Sequence, residues 1–226
     1  MGQCYSKDRT VTRNPLPDQP LLQALHAYAA AHLSDKDAAV PVEEEERVPM
    51  LDRGVSLLFL QAIRDELATL DRSTIDCGQL LNGVHTTDSK TDYLKFDRSK
   101  DPYCLKSGTL STGLSVVETL MQAGITELHG KPLFGRIRSF VSYTWRANSF
   151  TNLVGAVEAS APEDTFFFVD IFCVAQHRVQ RPRSKTNANQ VDVGKFEEII
   201  KSSERLVFYC TPIANPEALR RVWCLY

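Results

Sequence analysis

Asp170 is the carboxylate in the most unusual surroundings. It interrupts the apolar run 165–174 (TFFFVDIFCV), where a buried charge needs a hydrogen-bond partner. It is either a structural acceptor or a polar residue of a pocket. Ser142, Tyr143 and Trp145 close the preceding β-branched and aromatic run 139–145 (SFVSYTW), and Gln176 and His177 follow directly on 165–174. These residues supply hydrogen-bond donors, an acceptor and an aromatic face, which suits binding of a nucleotide-like ligand at the ends of strands. Packing is the competing role for Trp145, and an ordinary loop position the competing role for His177. Arg178, Arg181, Arg183 and Lys185 follow on a polar stretch. They form either a solvated loop or an anion site for a phosphate-bearing ligand.

Other chemistries find no support. The six cysteines (Cys4, Cys77, Cys104, Cys173, Cys210, Cys224) contain no CxxC pair, and the five histidines form no HExxH or HxH pairing, so no metal ligand set is expected. Cys173, Cys210 and Cys224 stand in apolar surroundings and read as inert core thiols. No Walker-type or Rossmann-type glycine loop is present, and no Cys–His–Asp order points to a nucleophile.

The candidate residues lie on a pattern of alternating strands and helices. Strands are expected at 139–145, 165–174 and 205–211, each buried, with helices at 148–159, 192–204 and 217–226. Such alternation implies βαβ units, a parallel sheet and helices on both faces. The part before it reads differently. Leu21, Leu22, Leu25, Tyr28, Ala29 and Leu33 recur at helical spacing, and 55–70 carries a second apolar stripe. Shorter helices are expected after Ser73 and at 114–121, while 85–112 is polar and turn-rich. The chain thus divides into a Pro-containing linker (1–20), a mainly helical extension (21–130) and an α/β part (131–226). Residues 1–130 carry a net charge of −6 and residues 131–226 one of +4.

The composition of the 226 residues is that of an ordinary globular protein, with 43% hydrophobic and 24% charged residues. A net charge of −2 argues against a dedicated nucleic-acid binder. No apolar run approaches the ~20 residues that span a bilayer. The opening Met1-Gly2-Gln3-Cys4-Tyr5-Ser6-Lys7 instead fits N-myristoylation at Gly2, with Cys4 placed for a second, palmitoyl chain. One myristoyl chain alone binds weakly, so Cys4 or the basic Lys7, Arg9 and Arg13 would supply the second signal. The expected location is the cytoplasmic face of a membrane, reached through this lipid anchor.

The succession SFVSYTWR, FFFVDIFCVAQH, SSERLVFYCTP and LRRVWC across 139–226 resembles Toll/interleukin-1 receptor (TIR)-like domains, and most of all an algal and protist subgroup. A related resemblance is to fungal heterokaryon incompatibility domains, although Trp145 is followed by Arg146 where those have Gly. The resemblance implies an α/β fold of flavodoxin type, a three-layer parallel sheet, here preceded by the helical extension. It implies either assembly with other TIR-like domains, self-association included, or hydrolysis of NAD at the nicotinamide–ribose bond. NAD would then be a substrate, with no resident cofactor and with contacts from Ser142, Tyr143, Trp145, Asp170, His177 and Trp223. In catalytic members a Glu follows the Trp of a WCxxE motif by four residues, where a carboxylate stabilises the ribosyl cation. Here that Trp is Trp223, and the corresponding position falls after Tyr226. The chain as given is therefore expected to be a truncated TIR-like module that signals by interaction without catalysis. A natural protein continuing past Tyr226 would be the nucleosidase alternative.

Overall fold

The structure is a computed structural model that describes residues 20–33, 47–83, 103–146, 149–160, 162, 164–177 and 188–209. Among them the strands are β1 (Gly54–Ser56), β2 (Glu127–Leu128), β3 (Lys131–Pro132), β4 (Phe134–Gly135), β5 (Ser139–Ser142), β6 (Phe166–Phe168) and β7 (Arg205–Phe208). Five of them form one sheet in the order β4-β1-β6-β5-β7, while β2 and β3 form a separate two-stranded ribbon. Strand β5 runs parallel to both neighbours, with Phe140 opposite Phe168 on β6 and Leu206 on β7. Strand β1 is antiparallel to both β6 and β4.

The helices are α1 (Leu21–Leu33), α2 (Leu57–Thr69), α3 (Cys77–Asn82), α4 (Leu105–Gly108), α5 (Val116–Gln122), α6 (Phe150–Glu158), α7 (Asp170–Cys173), α8 (Ala188–Gly194) and α9 (Phe196–Ser202). Local chemistry starts several of them. Ser56 and Ser149 cap α2 and α6, accepting from the N–H groups of Phe59 and Asn152. Asp76 with Gln79, and Ser115 with Glu118, form complete capping boxes on α3 and α5. The first turn of α1 is satisfied from outside: Glu66 of α2 accepts from the N–H groups of Leu22 (2.8 Å) and Gln23 (3.0 Å). Burial pushes the Glu66 carboxyl above its ordinary value, against the lowering effect of those two bonds.

One hydrophobic core runs through both parts of the chain. Phe140 and Phe168 stack at 5.1 Å, and Phe196 of α9 meets both rings edge-on. Phe167 points to the opposite face of the sheet and is also fully buried. Elsewhere in the core, Phe172 of α7 packs edge-on against Phe59 of α2 and Phe150 of α6. At the β1–β4 edge neither glycine has room for a side chain. A Cβ on Gly54 would lie 2.8 Å from the Gly135 carbonyl, and one on Gly135 2.7 Å from the Phe166 ring.

Several expectations need correction. The sheet is mixed: β1 and β4, which the sequence did not reveal as strands, add antiparallel neighbours to the parallel β6-β5-β7 set. The apolar run 165–174 is a strand only over Phe166–Phe168 and then turns into α7, so Asp170 opens a helix and does not interrupt a strand. A continuous apolar run signals burial, and a strand and a short buried helix share that signal. The helix expected at 192–204 is two helices, α8 and α9. Strand β7 is largely exposed where burial was expected, with Leu206 at 61%. The helix expected at 217–226 lies outside the described residues.

Candidate functional site

The parallel strands carry Tyr143 and Asp170 to one place. Tyr143 directly follows β5, and Asp170 lies two residues beyond β6, at the start of α7. The Tyr143 hydroxyl donates to Asp170 Oδ1 at 2.5 Å. The Trp145 indole N–H donates to Asp170 Oδ2 at 3.0 Å and lies 3.3 Å from Oδ1. Both Tyr143 and Asp170 are buried, and Trp145 is partly buried. Gln176 folds back so that its side-chain amide donates to the Asp170 carbonyl at 3.0 Å. The main chain of Trp145 is fastened as well, its carbonyl accepting from the Gly78 N–H of α3 at 3.0 Å.

A buried carboxylate must be satisfied, and here two neutral donors reach it. Asp170 therefore ties the exit of β5 to the exit of β6. The same contact holds the Trp145 ring at the carboxyl ends of two neighbouring parallel strands, the position at which open α/β sheets take ligands.

The other candidates are distributed differently. Ser142 is buried at the end of β5, and its carbonyl accepts from the Tyr209 N–H at 2.8 Å. His177 Nε2 lies 3.0 Å from the Thr109 hydroxyl, on the turn after α4. Burial first, and the charge of Lys106 second, bring the His177 imidazole down to about 4. It is a neutral ring at physiological pH, joined to the helical extension. Trp223, and the acylation candidates Gly2 and Cys4, lie outside the described residues, as do Arg178, Arg181, Arg183 and Lys185. Cys173 is buried, and its thiol is pushed up to about 12, chiefly by burial. It donates to the Arg53 carbonyl at 3.0 Å, which agrees with an inert core thiol. Cys210 and Cys224 lie outside the described residues.

A second polar cluster escaped sequence reasoning. Arg47 and Arg53 meet Glu118 of α5 and Asp192 of α8 in the interior, and all four side chains are almost fully buried. Arg47 makes a two-pronged contact with Glu118, each bond 3.0 Å long. Burial alone would lower the Arg47 pKa, but Glu118 and Asp192 outweigh it and raise it. Burial alone would raise the Glu118 carboxyl, and the two arginines hold it below the ordinary range. The only local sign of this cluster is the Ser115–Glu118 capping box. The partners of Arg47 lie 71 and 145 residues away, so no short-range pattern could announce them.

Among the described residues, no group of three or more His, Cys, Asp or Glu side chains could hold a metal ion. None of the described helices is long and apolar enough to cross a membrane. The chain matches no family model, no curated protein and no solved structure.

Proposed function

We propose that this chain is a TIR-like signalling module that works by association with other TIR-like domains or with itself, tethered to a membrane through acylation at Gly2 and Cys4. The observation that carries the reading is the strand order β6-β5-β7, all parallel, with the first of these strands in sequence at the centre. That is the second-first-third order with which a flavodoxin-type sheet begins. Strand β7 also leaves Leu206 61% and Phe208 37% exposed, which favours an interaction module.

A second reading rests on a different observation. Tyr143, Trp145 and Asp170 converge at the carboxyl ends of β5 and β6, where a nucleotide-cleaving TIR-like enzyme would bind NAD. In that case the Trp145 ring, partly exposed, would stack on the substrate, with Asp170 holding it in place.

One experiment separates the readings. The purified protein is followed by sedimentation over a range of concentrations and is incubated in parallel with NAD. Concentration-dependent association without nicotinamide release is expected. Nicotinamide release would establish the enzyme, and a monomer at every concentration that recruits no TIR-like domain would sink the interaction reading.

A further inference from the structure

The buried quartet of Arg47, Arg53, Glu118 and Asp192 has a lopsided bonding pattern. Asp192 Oδ2 accepts from Arg47 Nη2 (2.9 Å), Arg53 Nη1 (3.0 Å) and the Ala175 N–H (2.9 Å). Asp192 Oδ1 is buried and has no hydrogen-bond partner among the described residues. A buried carboxylate oxygen without a donor is destabilising, so Asp192 is an imperfect occupant of the place it fills.

The two sides of the contact are unequally built. Arg53 is held from its own side: its Nε donates to the Val48 carbonyl (2.7 Å) and its Nη1 to the Cys173 carbonyl (3.3 Å). Glu118, which pairs with both arginines, is fixed by the Ser115 N–H (3.0 Å) and hydroxyl (2.8 Å). Helix α8, by contrast, has seven residues, of which only Ala188 and Asp192 are buried. A further anchor is polar, from Asn189 Nδ2 to the Ala175 carbonyl at 2.8 Å. Apolar burial adds little to its attachment. Without Asp192, two guanidinium groups would face a single carboxylate, an interior site with net positive charge and oriented donors that match an oxyanion.

We propose that the Arg47–Arg53 pair is a receptor for a small oxyanion, a carboxylate or a phosphate, and that Asp192 on α8 plugs it from within the chain. The plug and the oxyanion exclude each other, so binding of the anion is coupled to release of α8. A free carboxylate could turn both of its oxygens to the donors, and a phosphate more than two, where Asp192 uses one. This site is separate from the Asp170 cluster and does not depend on the TIR-like reading.

The test uses the full-length chain and its Asp192→Ala variant, melted in sodium chloride, sodium formate and sodium phosphate at matched ionic strength. Each gain is read relative to the wild type in the same salt, which removes general stabilisation by phosphate. In chloride the variant melts lower by on the order of 10 °C, because a buried positive charge loses its partner. Formate or phosphate restores the loss with a saturable dependence, and whichever salt acts at lower concentration identifies the ligand as carboxylate or phosphate. Absence of recovery, or equal recovery in chloride, overturns the proposal. Amide exchange of the wild type covers the case in which the variant fails to fold. Exchange across residues 188–194 is expected to quicken in phosphate relative to chloride, and unchanged exchange overturns the coupling.

Discussion

Val55 on β1 pairs with Phe167 on β6 in antiparallel register, so a strand of the helical extension completes the sheet of the α/β part. Phe167 is fully buried in this arrangement. Residues 131–226 expressed alone are therefore expected to lack a cooperative melt, because β6 becomes an edge and Phe167 loses its cover. The full chain melts cooperatively. Calorimetry of both decides, and a sharp transition in the short fragment would show that the extension is dispensable.

Tyr143 and Trp145 share one buried acceptor, Asp170. Tyr143→Phe should cost about 1.5–3 kcal/mol, the range for a hydrogen bond to a carboxylate. Asp170→Ala should cost more, since it strands two donors at once. Urea unfolding of both single variants and the double variant measures the coupling, and the double variant is expected to fall short of the sum. Strict additivity would place Tyr143 and Asp170 in separate networks.

His177 adds a pH dependence whose sign follows from its burial. The folded ring titrates at about 4, below its unfolded value of about 6.5. Above 6.5 both states are neutral and no stability is lost. As pH falls from 6.5 towards 4, the unfolded chain takes up a proton that the folded chain refuses, and stability declines. His177→Asn is expected to flatten this stretch of the stability curve compared with the wild type. Parallel curves for the two proteins between pH 7 and 4 would remove His177 as the cause.

Cys77, Cys104 and Cys173 are all buried. Iodoacetamide applied to the native protein should leave these three unlabelled and label them only after denaturation, because a thiol without solvent access does not meet the reagent. Peptide mass spectrometry assigns each site. Rapid native labelling of Cys173 would contradict its position beneath Arg53.

Acylation is tested apart from the fold. Gly2→Ala removes the myristoyl acceptor and is expected to move the protein from the membrane fraction to the soluble fraction. Cys4→Ser should weaken the association further than the loss of a single basic residue, because a second acyl chain contributes more than one charge. An unchanged distribution of both variants would remove the anchor.

The sequence by itself determined the local elements with strong periodicity or a cap. The stripe Leu57, Leu60, Ile63, Leu67 marked α2, and Phe150, Leu153, Val154, Val157 marked α6. It also marked Asp170 as a carboxylate in need of a partner, since an acid inside TFFFVDIFCV is anomalous on composition alone. What filled that need was a tertiary matter: Tyr143 and Trp145 lie 27 and 25 residues away in the chain, and only the parallel pairing of β5 with β6 brings them together. The two-residue strand β4 and the three-residue β1 left no readable alternation, because so short a strand has too few residues to show a period. The buried Arg47–Glu118 and Arg53–Asp192 pairs were invisible for a related reason. Charged residues in a sequence read as surface, and only a fold that brings an opposite charge against each one in the interior can reverse that reading.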